Sequence, residues 1–60
     1  MTQDEILETF KRAIKYGGSF DKKLGECGLA ADPINQSIIF KTWPQMISQY
    51  GPDSDHALKK

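Results

Sequence analysis

The stretch Thr2-Gln3-Asp4-Glu5-Ile6-Leu7-Glu8-Thr9-Phe10-Lys11-Arg12-Ala13-Ile14-Lys15-Tyr16-Gly17-Gly18 decides the fold class. Thr2 and Glu5 have the Thr-x-x-Glu spacing in which a hydroxyl and a carboxylate satisfy two orphan N–H groups at a helix start. Met1 and Ile6 stand where a hydrophobic staple closes over that cap. Ile6, Leu7, Phe10, Ala13 and Ile14 recur at i, i+3, i+4 and i+7, which makes one apolar stripe. Asp4, Glu5 and Glu8 precede Lys11, Arg12 and Lys15, the order that complements the helix dipole. Gly17-Gly18 then predicts a stop, with glycine in the left-handed conformation.

Working outward, Ser19 reads as the N-cap of a short second helix, with Asp21 in its first turn. Phe20, Leu24 and Cys27 line one narrow face of it, so Cys27 is expected to be a buried thiol behaving as a small hydrophobe. Gly25 costs that helix about 1 kcal/mol relative to Ala, and Gly28 ends it. Asp32-Pro33 is an N-cap acid followed by proline at the first helical position. Ile34, Ile38, Ile39, Phe40 and Trp43 spread around a helical wheel, which reads as a buried central helix. Residues 37–43 are also β-branched and aromatic enough for a strand, but no second strand offers to pair with them. Pro44 breaks this segment and opens a last helix carrying Met46, Ile47 and Tyr50. The expected architecture is all-α, a small bundle of four short helices, or three with the third kinked at Pro44. It forms one domain over residues 1–51, followed by a flexible tail at 52–60.

The chain has 60 residues, with eight Lys+Arg against eight Asp+Glu. That length suits one domain, whose core alone is marginal. A lone Cys27 and a lone His56 supply neither an internal disulfide nor a zinc site. No apolar run exceeds three residues, as at Ile38-Ile39-Phe40, so no membrane span is expected. Acids rather than a basic and then an apolar stretch at the start give the expectation of a cytoplasmic protein.

Catalysis requires a nucleophile, a base and an orienting group. Cys27 and His56 are the one such pair, with His56 in the expected tail, so no enzyme, cofactor or metal is expected. Asp53, Asp55 and His56 begin like a calcium loop but lack its glycine and closing glutamate. Charge is segregated along the chain: residues 1–10 carry −3, residues 11–23 carry +4. Lys11, Arg12, Lys15, Lys22 and Lys23 form a candidate basic patch for steering toward an acidic surface. Their plainer reading is a solvated helix end.

Two binding readings follow. Phe40, Trp43, Met46 and Tyr50 cluster about the Trp-Pro break and are residue types enriched at interface centres, which points to a protein partner. The plainer reading is that they close the core. Alternatively, a helix-turn-helix about Gly28 would place Asn35 and Gln36 early on a reading helix, where their amides suit adenine edges. Against it stand Asp32, which would face phosphate, and the lack of Lys or Arg on that helix before Lys41. Self-association is a further outcome, since a marginal core gains by burying an apolar edge in a homo-oligomer.

Tyr16-Gly17-Gly18-Ser19-Phe20, Asp32 and Asn35, Trp43-Pro44 and Tyr50-Gly51 together resemble short accessory proteins encoded by bacteriophages, over residues 16–51. The resemblance is to a class rather than to a single family, and no residue role transfers with it. It implies a small, helical, non-enzymatic protein that binds and redirects a host protein.

Overall fold

A capped amphipathic helix opens the chain. In the computed structural model, which describes residues 1–58, α1 spans Gln3–Tyr16. The Thr2 hydroxyl accepts from the Glu5 N–H at 3.2 Å, and a Glu5 carboxylate oxygen accepts from the Thr2 N–H at 2.8 Å. α2 (Ser19–Ala30), α3 (Pro33–Thr42), α4 (Gln45–Tyr50) and the single turn α5 (Asp55–Leu58) follow. Among the described residues there is no strand. Residues 37–42 are therefore helical, and the chain is a small all-α bundle.

Pro44 separates two helices rather than kinking one. The Trp43 N–H closes α3 by donating to the Ile39 carbonyl at 2.8 Å, and Trp43 itself leaves helical geometry at φ −124°, ψ 73°. Asp32 caps α3 as its sequence implies, accepting from the Asn35 N–H at 2.8 Å.

The core consists of Phe10, Ala13, Leu24, Ile39, Met46 and Tyr50, with Ile6, Phe40 and Trp43 half-buried against it. Its centre is the crossing of α1 and α2. Phe10 is fully buried, stacking on Phe40 with ring centroids 4.8 Å apart and planes within 5°. Its other side lies on the bare backbone of α2. A Cβ at Gly28 would fall into the Phe10 ring, and one at Gly25 would come 2.6 Å from the Phe10 carbonyl and 2.8 Å from Ile14 Cγ1. The glycine that weakens α2 as an isolated helix is thus what allows α1 to approach it.

Several local expectations are corrected. Gly17 ends α1 in extended backbone, φ −80°, ψ 163°, and no described glycine has a positive φ. Glycine is needed there for space: a Cβ would lie 2.6 Å from both the Ala13 carbonyl and Asp21 Cβ. Ser19 is the first residue of α2, not its cap; Gly18 is the N-cap and offers no side-chain acceptor. The segment beyond Gly51 is packed where a loose tail was expected. Ser54 is buried, its hydroxyl donating to the Gly51 carbonyl at 2.6 Å, and the His56 ring stacks on Tyr16 at 4.4 Å. Residues 59 and 60 of that expected tail lie outside the described residues.

The two glycine sites respond oppositely to substitution. Gly28→Ala overpacks the Phe10 contact and lowers unfolding free energy by about 1–3 kcal/mol. Gly18→Asp adds the missing cap to α2 where nothing lies within 4 Å of the new Cβ, raising it by up to about 0.5 kcal/mol. Urea unfolding followed by circular dichroism measures both. Equal effects at the two sites would mean that α2 does not touch Phe10.

Candidate functional site

The residues read from the sequence as one aromatic binding cluster divide between core and edge. Met46 is fully buried and Tyr50 is 4% exposed, so neither is a surface anchor. Burial follows from the register of α4, which turns both side chains toward α1. Phe40 is committed to the Phe10 stack. Trp43 is half-buried and meets the exposed Phe20 edge-on, centroids 5.8 Å apart.

Tyr50 has a structural task instead. Its hydroxyl donates to Asp21 Oδ2 at 2.7 Å, and its carbonyl accepts from Arg12 Nε at 2.6 Å. One residue thereby ties α4 to both α1 and α2. Burial foremost, then the hydrogen bond to Asp21 and its negative charge, push the phenol up from 10.0 to about 12. His56 stacks on its ring at 5.6 Å from the α5 side.

The basic patch is largely engaged locally. Arg12 is held by the Tyr50 carbonyl, Lys11 pairs with Glu8 at 3.3 Å, and Lys23 pairs with Glu26 at 3.8 Å. Lys15 lies over the Tyr16 ring, 5.3 Å from its centroid, and Lys22 is exposed. Exposed pairs of this kind contribute little stability and leave most of their charge facing solvent.

The two candidate base-reading residues also separate. Asn35 is exposed, but Gln36 is 2% exposed and fully used. Its Nε2 donates to the Gly28 carbonyl at 2.9 Å, and its Oε1 accepts from Gln3 Nε2 at 3.3 Å. Gln36 adds a second, shorter hydrogen bond to a last-turn carbonyl of α2 that also accepts from the Ala31 N–H at 3.3 Å. It is not available to read a base.

α2 and α3 are joined by the two-residue connection Ala31-Asp32. At 1.5 Å per residue these helices run about 18 and 15 Å from their shared turn. Phe20, at the start of α2, meets Trp43, just past α3, so the far ends of the two helices approach each other in a helical hairpin.

That hairpin carries the site which sequence reasoning missed. An open groove of about 360 Å³ runs between α2 and α3, lined by Cys27, Ala30, Ala31, Asn35, Ile38 and Ile39. Cys27 is exposed there, not buried as its spacing with Leu24 implied. On the outer face of α3, Ile34 is 74% and Ile38 is 53% exposed, and at the mouth of the hairpin Phe20 is 57% exposed. The i, i+4 spacing of Ile34 and Ile38 was legible. Their exposure was not, because α3 is apolar on nearly every side and its one buried polar residue, Gln36, marks the inner face.

The groove contains no charged side chain and no arrangement for acid–base chemistry. Cys27 opens onto it, while His56 belongs to the Tyr16–Tyr50 stack on other elements. Among the described residues no group of three or more His, Cys, Asp or Glu is placed to hold a metal ion, and no helix is long and apolar enough to cross a membrane. No protein-family model, curated protein or solved structure matches the chain.

The Tyr50 phenol has a measurable consequence. Its folded-state value lies above the ordinary 10.0, so its contribution to stability is fully present below pH 10 and is lost as pH rises from 10 toward 12. Wild type should lose on the order of 2–3 kcal/mol more than Tyr50→Phe across that interval. Unfolding titrations of both proteins below pH 10 and near pH 12 test this. A gap between them that does not change with pH would show the phenol is not held protonated.

Proposed function

We propose that this is a small non-enzymatic binding protein, acting in the cytoplasm, that engages and modulates another protein through the outer face of its α2–α3 hairpin. The observation that carries the reading is the exposure of Phe20 on α2 and of Ile34 and Ile38 on α3, with Ile38 lining an uncharged groove between the two helices. Large aliphatic and aromatic side chains left open together on one hairpin are the mark of a contact surface. Trp43 supports it from the inner side, holding Phe20 at the mouth of the hairpin. Lys22, Lys23 and Lys41 stand exposed on the same two helices and supply steering charge without entering the apolar centre.

The resemblance to phage-encoded accessory proteins supports the same class of action, binding rather than turnover. Nucleic-acid binding through α3 loses Gln36 to the interior and keeps only Asn35 at the helix start. Protein is therefore the favoured partner class.

Ile38→Glu introduces a charge at an exposed position, so it should retain wild-type helicity while abolishing capture of a bound protein from a host lysate. The same capture should survive nuclease treatment. If Ile38→Glu binds as well as wild type, the hairpin face is not the contact surface. If capture disappears with nuclease, the partner class is nucleic acid.

A further inference from the structure

The α2–α3 face has a self-complementary charge pattern. At the open end of the hairpin, Lys41 lies exposed one turn beyond Ile38 on α3, while Lys23 on α2 is paired with Glu26 at 3.8 Å. At the closed end lies Asp32, exposed in the two-residue connection. Between these ends the groove is uncharged, with Ile34 and Ile38 beside it. The face is thus apolar in the middle, positive at one end and negative at the other.

A two-fold axis through such a face brings unlike ends together. In an isologous contact residue i meets j and j meets i, so antiparallel hairpins set the Lys41 end of one copy over the Asp32 end of the other, twice. The chain's formal charge of zero adds no net repulsion. A standard interface takes about 800 Å² from each partner, roughly a fifth of this chain's 4025 Å² of accessible surface. One broad side of a body measuring 30 × 25 × 17 Å offers that much. A domain of this length also gains more from such burial than a larger one, because its own core encloses less of its apolar surface.

We propose that the occupant of the α2–α3 face is a second copy of this chain, packed antiparallel about a two-fold axis near Cys27 and Ile38. This rests on the reading of the hairpin as a protein-binding surface and names the chain that covers it. The two Cys27 thiols then lie near the axis, close to each other. Lys41 faces Asp32 of the partner copy at both ends.

Sedimentation velocity of the full chain under reducing conditions, over a hundredfold range of protein concentration, reads the association directly. Wild type should pass from monomer to dimer, and Ile38→Glu should stay monomeric with unchanged circular dichroism. Lys41→Glu, which leaves the groove intact but reverses the charge that faces Asp32 of the partner copy, should weaken the dimer about tenfold or more at low salt. A short thiol-to-thiol crosslinker should join wild-type chains through Cys27 and fail with Ile38→Glu.

A wild-type chain that is monomeric at every concentration overturns the proposal. So does a dimer that persists undiminished in Ile38→Glu. A monomeric wild type whose capture of a foreign protein is lost in Ile38→Glu overturns the second copy while leaving the hairpin as the docking face. Self-association and capture both indifferent to Ile38→Glu overturn the two readings together.

Discussion

The contact between the Phe10 ring and the bare backbone of α2 at Gly28 is the constraint on which the rest of the molecule depends. It sets how near α1 and α2 lie, because any side chain at Gly25 or Gly28 would meet α1. With that spacing fixed, Phe10 presents its other face to Phe40 and draws α3 into the core at one edge. Leu24 and Ala13 close the remaining space between the first two helices. In a 60-residue chain such a centre must be dense, since there is no surrounding layer to make up for a void.

Around this centre the polar groups fasten the shorter elements. α4 has only six residues and no side-chain cap, too few to persist on propensity alone. Tyr50 holds it through both ends of the residue, with the phenol on Asp21 and the carbonyl on Arg12. Gln36 performs the corresponding task between α2, α3 and the start of α1. Among the described residues no buried side-chain nitrogen or oxygen lacks a partner, so these few polar groups are accommodated without a desolvation penalty left open.

The same arrangement explains why an apolar face remains outside. α3 carries apolar residues around most of its circumference, but only one side can face Phe10 and Leu24. Gln36 and Ile39 occupy that side, and Ile34 and Ile38 are turned away. Burial of the amide of Gln36 at the end of α2 thus has a structural cost, two exposed isoleucines, that a binding surface would put to use. α1 and α2 thus form the scaffold, α4 packs on it, and the outer face of α3 is left exposed.

Local signals in the sequence determined the elements. The Thr2–Glu5 capping box, the stripe from Ile6 to Ile14, the Asp32-Pro33 start and the Trp43-Pro44 break each act within a turn or two of chain, where sequence spacing is spatial spacing. The all-α class and helices α1, α3 and α4 followed from these. What the tertiary structure alone decided was which face of each helix is used. Tyr50 and Met46 read as interface residues by type, yet the register of α4 buries them. Gln36 reads as a surface amide, yet it closes the end of α2. Cys27 and Ile38 read as core, yet α2 turns its glycines toward α1 and α3 turns Gln36 and Ile39 inward, which leaves both outside. A residue's type gives its preference for burial, but which neighbour meets it depends on contacts between segments far apart in the chain, and in a core this small a single close helix crossing settles them all.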